Sequence, residues 1–283
     1  MPDRRGVLLG LSAVAFAPPL AIGAASDIAS ALAATDRADF IAIGERHDNP
    51  AHHGVQAALV AALQPAGIAF EMIPESLETT VNQLRRDGAG RDDLAAALDW
   101  ANSGWPDFSL YAPILEAAPD AYIAGGGLSR EVMASVYSDG APGLGPEMTA
   151  RYGLDEPLSA EVEAAMLNEQ YEAHCEMLDR ARLAPMVAVQ RAWDAAYAEA
   201  WRRAGLRGGG RAVLICGNAH ARLRGGAPEY LARALPDAAI AAVGQTEEGD
   251  AASSAGLYTA TIRSARPERG DPCDAMRAAM GAE

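Results

Sequence analysis

Six apolar runs of strand length punctuate the chain, at about 38–43, 67–72, 119–124, 211–216, 237–243 and 256–262. Helix-length amphipathic segments, about 50–64 and 74–86, separate the early runs, so the chain opens β-α-β-α. That alternation predicts an α/β fold, with a mostly parallel central sheet and helices on both faces. Pro50 suits a helix first turn, with Asn49 as its cap. From about 158 to 205 the pattern is almost wholly helical, broken only around Leu183-Ala184-Pro185. This predicts a two-helix hairpin, inserted between strands and packed over the ligand-binding edge of the sheet. The Gly/Pro-rich stretch at 138–146 reads as a surface loop, and the chain has no internal repeat and no long linker. One domain is expected over 26–263, followed by a disordered tail over 264–283, where Pro, Gly and mixed charge gather.

Chemically capable side chains fall where the strands end. The first run gives way to Gly44-Glu45-Arg46-His47, the second ends on Glu71, and the fourth ends on Gly217-Asn218-Ala219-His220. In open parallel sheets the crevice beyond the carboxyl ends of the strands is where ligands bind. Glu45, His47, Glu71 and His220 therefore form one candidate constellation. Carboxylate oxygen and neutral imidazole nitrogen suit a borderline divalent metal ion, with open positions left for an activated water. Without a metal, a glutamate beside a histidine in a partly buried crevice can act as a general base. His52 and His53 lie about 100° apart on the following helix. His53 shares a stripe with Gln56, Val60 and Leu63, and is favoured as the inward one of a pair in which the other is solvated.

The second half of the hairpin carries Gln190 and Asp194 on one face, four residues apart. Beside them run Val189, Trp193, Tyr197 and Trp201. That stripe reads as core packing, with a wall for a flat porphyrin as the alternative.

Several segments together resemble one family. They are Gly44-Glu45-Arg46-His47-Asp48-Asn49-Pro50 with His52-His53, then Phe70-Glu71-Met72, Tyr111 and Pro113 after a Trp-Pro pair, and Gln190 with Asp194. Gly217-Asn218-Ala219-His220, followed by Gly226-Ala227-Pro228, completes the set. In this order, from about residue 37 to about 245, they resemble the ChaN family of bacterial envelope proteins. That family is associated with haem binding and iron uptake, and shares a superfamily with the TIKI/TraB proteases and the erythromycin esterases. The resemblance implies haem as a cofactor and an outer-membrane receptor or other uptake protein as a partner, and allows a homodimer. It also implies roles for Tyr111 and Arg130, the latter as a partner for a propionate, and for Gln190 and Asp194. His174, with Gln170, either joins them or caps the hairpin. Tyr111 ranks first as axial ligand, ahead of Tyr171, Tyr137 and Tyr152. No Cys-x-x-Cys-His motif occurs, so any haem is expected to be held non-covalently.

Composition narrows the field. Half of the 283 residues are hydrophobic, ample for one sizeable core. The formal net charge of −15 argues against nucleic acid and against an anionic membrane surface, because both need a basic footprint. All 23 basic residues are arginine. The absence of lysine excludes pyridoxal-phosphate enzymes, Schiff-base aldolases and P-loop hydrolases. Three cysteines without metal-like spacing, Cys175, Cys216 and Cys273, allow one disulfide and one odd thiol. Cys216 reads as a buried strand-end residue, Cys175 as helical, and Cys273 as part of the tail.

Residues 1–25 read as an export signal. Arg4-Arg5 precede an apolar stretch from Val7 to about Ile22, and Gly23-Ala24-Ala25 offer a cleavage region. The arginine pair resembles a twin-arginine translocation signal and fits an ordinary secretory signal equally. A periplasmic protein is expected, without a lipid anchor, since no cysteine lies near the cleavage region. Two functional readings follow. One is a haem- or iron-complex-binding protein of uptake; the other is a metal-assisted or Glu/His-dependent hydrolase of esters or amides.

Overall fold

Every neighbouring pair of strands in the sheet is parallel. The computed structural model describes residues 22–250, 256–271 and 273–280. The expected export signal lies, over residues 1–21, outside the described residues. Helix α1 (Ile22–Thr35) leads into β1 (Phe40–Glu45), α2 (Pro50–Leu63) and β2 (Gly67–Pro74). Helices α3 (Glu78–Arg86), α4 (Arg91–Ala97) and α5 (Phe108–Ala117) then precede β3 (Tyr122–Gly127). Next come α6 (Arg130–Asp139), α7 (Pro146–Tyr152), α8 (Ala160–Ala173) and the long α9 (Arg180–Gly208). The chain continues through β4 (Ala212–Gly217), α10 (Ala227–Ala234), β5 (Ile240–Glu247), β6 (Ala260–Ser264) and α11 (Cys273–Met280). The strand order is β3-β2-β4-β1-β5-β6. All six apolar runs thus become strands of one sheet, and helices cover both of its faces.

The alternation of side chains along each strand divides the core. Ile41 and Ile43 of β1, Ile68 and Phe70 of β2, and Val213 and Ile215 of β4 face one layer, with Val55 and Leu59 of α2 and Tyr111 and Ile114 of α5. Phe40, Ala42, Ala69, Ala212 and Leu214 face the other, with Tyr197, Trp201 and Ala204 of α9. The second face is lined by small residues, which lets α9 approach closely. A β-carbon on Gly67 would stand 2.1 Å from the Ala204 carbonyl oxygen. Trp201 fills this layer completely, and its indole N–H donates to the Ala212 carbonyl at 3.0 Å. The stripe on α9 is therefore core at Tyr197 and Trp201, while Trp193 is only partly buried.

The cap of α2 forms as its sequence predicts. The Asn49 side chain accepts from the Ala51 N–H at 2.9 Å, and Pro50 occupies the first turn. The hairpin exists as α8 and α9, but its break falls at 174–179 rather than at Pro185. Cys175 and Glu176 both adopt left-handed backbone, with φ of 57° and 59°, and reverse the chain there. Pro185 continues inside α9, near its start, where only one backbone hydrogen bond is lost. Cys175 accordingly lies in the turn, not in a helix, and is bonded to Cys273. Cys216 is the free, buried thiol.

The segment expected as a tail is tied down along much of its described length. Arg269 donates to the fully buried Glu247, Arg266 pairs with Asp250 at 2.8 Å, and the chain then forms α11. Charge pairing and the disulfide supply what the segment lacks in apolar surface. No described helix is long and apolar enough to cross a membrane.

Candidate functional site

Three adjacent strands build the site, because β4 is inserted between β1 and β2. Glu45, last residue of β1, stands in register with Gly217, last residue of β4, and Phe70, just before Glu71, is in register with Ile215. The period of two sends Glu45 toward the α2/α5 layer and Glu71 toward the α9 layer.

On the first side, Glu45 is buried and its Oε1 accepts from His47 Nδ1 at 2.7 Å and from the Tyr111 hydroxyl at 3.0 Å. His53 lies edge-on to Tyr111, with its Nδ1 3.3 Å from Glu45 Oε2. Its Nε2 donates to the His47 carbonyl at 2.9 Å. His53 is thus inward as expected, but His52 is buried as well. The Arg46 N–H donates to His52 Nδ1 at 2.8 Å. Burial drives the His52 pKa down to about 4, so that ring is neutral.

On the second side, Glu71 Oε2 accepts from the Gly217 N–H at 2.7 Å. His220 Nδ1 donates to Asp194 Oδ1 at 2.7 Å, with the Gln190 amide 3.1 Å from the same nitrogen. Its Nε2 lies 3.8 Å from Glu71 Oε1. Tyr197 packs edge-on against the imidazole, ring centroids 4.8 Å apart. Burial opposes charge on His220, but Glu71 and Asp194 outweigh it and lift the pKa to about 9. Burial raises Asp194 to about 6 against the pull of His220. The imidazolium–carboxylate pair is the state consistent with both partners near neutral pH.

His47 joins the two sides. Its Nδ1 is held by Glu45, and its side chain keeps 36% exposure. Burial lowers its pKa, but the Glu45 hydrogen bond and the charges of Glu71 and Glu45 together outweigh it, for a net upward shift. A β-carbon on Gly217 would lie 3.2 Å from His47 Nε2 and 3.7 Å from Glu71 Oε2. Glycine there lets the imidazole lie close over the end of β4, and a β-carbon would press the ring outward by a few tenths of an ångström. Trp105 braces the other edge of the ring at 4.9 Å.

Glu45, His47 and His220 line a crevice of about 800 Å³, with Glu71 just behind Gly217. Arg46, Asp48, Asn218, Arg222, Gln245, Asp250, Leu257 and Tyr258 complete one wall, and Glu169 and Glu172 of α8 form the opposite one. The hairpin therefore does cover this edge. Gln190 and Asp194 act through His220.

The other expected residues lie elsewhere. Tyr111 is buried behind Glu45 and spends its hydroxyl there, and burial raises its pKa far above the usual phenol range. Tyr152 is fully buried on Glu199, Tyr137 is exposed on α6, and Tyr171 sits under the Arg180 guanidinium. None of the four lines the crevice. Arg130 is exposed in the first turn of α6, and His174 closes α8 by bonding the Gln170 carbonyl at 2.7 Å.

The divalent-ion expectation also finds no chelating set. Among the described residues, no three or more His, Cys, Asp or Glu side chains are arranged to hold a metal ion. Glu45 and His47 face each other rather than a common point, and His220 Nδ1 is committed to Asp194. Haem needs less, since one axial donor suffices. An imidazole held by a carboxylate through Nδ1, on a part-exposed residue that lines the crevice, fits that role.

Sequence reasoning did not single out Trp105, Tyr197 as a contact of His220, Glu169, Arg222 or Gln245. Tyr197 had a signal, being three residues beyond Asp194 on the same helix. The bidentate pairing of Arg222 with Glu169, at 2.7 and 2.6 Å, spans 53 positions and had none.

A family model described as haem-binding uptake, Tiki superfamily, ChaN matches residues 31–231. Among solved structures, the chain is similar to one titled cofacial heme binding to ChaN of Campylobacter jejuni. The identity is 18%, covering 80% of this chain and 87% of that one, with a TM-score of 0.55. The type III effector HopBA1 aligns at 15% identity over 81% of this chain and 88% of that one, with a TM-score of 0.44. No curated protein matches in sequence.

Proposed function

The chain belongs to the ChaN family of haem-binding uptake proteins, in the Tiki superfamily, and from that premise we propose that it binds haem non-covalently in the crevice beyond β1 and β4. The observation that carries this reading is His47, a part-exposed residue lining a crevice of about 800 Å³ with its Nδ1 held by Glu45. Haem, when bound, would supply a ferric centre that takes a protein donor. His47 would hold it, with the Glu45 hydrogen bond orienting the ring and raising its basicity. Tyr111 holds Glu45 in place from below. Leu257 and Tyr258 offer apolar surface to the ring system, and Arg46 and Arg222 are the cations within the crevice wall. The protein works outside the cytoplasm in haem or iron uptake, a placement supported by the Cys175–Cys273 disulfide. Titrating the purified protein with haem and following the Soret band tests the reading.

A second reading, a Glu/His-dependent hydrolase of esters or amides, rests on a different observation. Two carboxylate-anchored imidazoles of raised pKa meet at one crevice, His47 on Glu45 and His220 on Asp194. In that reading neutral His47 takes the proton from an attacking water, and charged His220 stabilises the developing oxyanion. Hydrolysis of aryl esters by haem-free protein, lost in His220→Gln, is the result that favours it.

A further inference from the structure

The disulfide closes a belt around the crevice. From the sheet side, Arg269 pairs with Asp48 at 2.7 Å and also binds Glu247, the buried partner of Arg46. Arg266 pairs with Asp250 at 2.8 Å. Asp48, Arg46 and Asp250 all line the crevice. The same segment leads to Cys273, which is bonded to Cys175 in the turn that follows α8. Glu172 and Glu169, three and six residues before Cys175, form the opposite wall, and Glu169 returns to the sheet through Arg222. The circuit thus runs from the loop after β1, along the C-terminal segment, through one covalent bond into α8, and back to the loop after β4.

The tip of the hairpin is fixed mostly by polar contacts: Arg180 donates to Asn168 at 2.7 Å and stands over the Tyr171 ring. Among the described side chains of α8, Met166 alone is buried, and the turn at 174–179 is held by local hydrogen bonds besides the disulfide. Burial of apolar surface therefore cannot by itself hold this end of α8 over the crevice, and a cross-link can, because it removes the open arrangements of the chain.

We propose that the Cys175–Cys273 disulfide is a redox-sensitive clasp that holds α8 across the crevice and sets the rate at which a ligand enters and leaves. A dithiol reductant opens it by exchange. One thiolate attacks a sulfur of the bridge, the second displaces the mixed disulfide, and two protein thiols and one oxidised dithiol result. Two electrons and two protons pass to the protein. In the reduced form the Arg222–Glu169 pair and the Arg180 contacts remain, and this end of α8 moves more freely over the crevice. Cys216, buried at the end of β4, takes no part, and burial raises its thiol pKa well above the usual value.

The clasp is independent of what the crevice binds, although ligand exchange as its purpose rests on the haem reading. Two measurements on the full chain separate the claims. In the first, the rate of His47 modification by diethyl pyrocarbonate, mapped by mass spectrometry, is compared between oxidised protein, dithiothreitol-reduced protein and Cys273→Ser. Hydrogen exchange across 160–179 is followed in the same samples. The expected result is a rise of about tenfold or more in both rates after reduction or substitution, with the sheet unchanged. Arg269→Ala, which cuts the belt on its other side, is expected to raise His47 modification in the oxidised protein. Equal rates in oxidised and reduced protein overturn the clasp, whatever the ligand. In the second, haem release to an excess of a tighter haem-binding protein is expected to be about tenfold faster from the reduced form. Equal release rates with a demonstrably freed α8 overturn its role as a gate. A protein that frees α8 but never binds haem upholds the clasp and rejects the haem reading.

Discussion

Glu45 and Gly217 stand directly opposite one another in the parallel ladder between β1 and β4, and the rest of the site depends on that register. The Gly217 N–H serves Glu71, and the missing side chain of Gly217 leaves room for His47 Nε2. Gly217→Ala should therefore press His47 outward from the end of β4. A cost of about 1–3 kcal/mol in stability is expected from the overpacking, measured by urea denaturation. Haem affinity should fall by about tenfold or more.

Asp194 has no exposure and is the charge partner of a buried imidazolium. Removing one member of such a pair typically costs about 3–5 kcal/mol. Asp194→Asn should show a loss of that order, and the His220 titration followed by NMR should move down from about 9. An unchanged titration would detach Asp194 from the site.

Stability should decline on both sides of neutrality. His220 has a folded pKa raised from 6.5 to about 9, so its contribution is complete below pH 6.5 and is lost as pH rises through about 9. His52 is depressed from 6.5 to about 4, so its contribution is complete above pH 6.5 and is lost as pH falls through about 4. Urea midpoints measured across this range should trace both limbs, and His220→Gln should flatten the alkaline one.

The aromatic stripe on α9 offers a contrast between core and crevice. Trp201→Ala removes a wholly buried ring and its hydrogen bond to Ala212, with an expected loss of about 3–5 kcal/mol. Trp193→Ala, at a partly buried position 6.1 Å from His220, should cost under about 2 kcal/mol. Equal losses would place both rings in the core.

The strands and their parallel pairing were legible because each apolar run was long enough and alternated with helices. The gathering of Glu45, His47 and His220 at strand ends was legible for the same reason, since the fold class dictates where such ends meet. The direction of each side chain was not. Tyr111 matched its motif, yet the period-two alternation of β1 turns Glu45 inward onto it and closes it off from the crevice. The hairpin break was misplaced because Pro185 is a stronger sequence signal than Cys175 and Glu176, whose left-handed backbone is fixed by tertiary context. The ties of the C-terminal segment escaped detection because they are ion pairs and a disulfide across large sequence separations, which no local pattern announces. Helices α4 and α5 carry too short a pattern to stand out from the loops beside them.

The central claim is that haem is held in this crevice with His47 as the donor, and a haem titration of wild-type protein beside His47→Ala tests it most directly. The wild type should develop a saturable Soret band with a 1:1 component. His47→Ala should keep its fold by circular dichroism but lose that component or shift its spectrum, with affinity reduced by about tenfold or more. A wild-type protein that fails to perturb the haem spectrum, or a His47→Ala variant with an identical spectrum and affinity, would contradict the account.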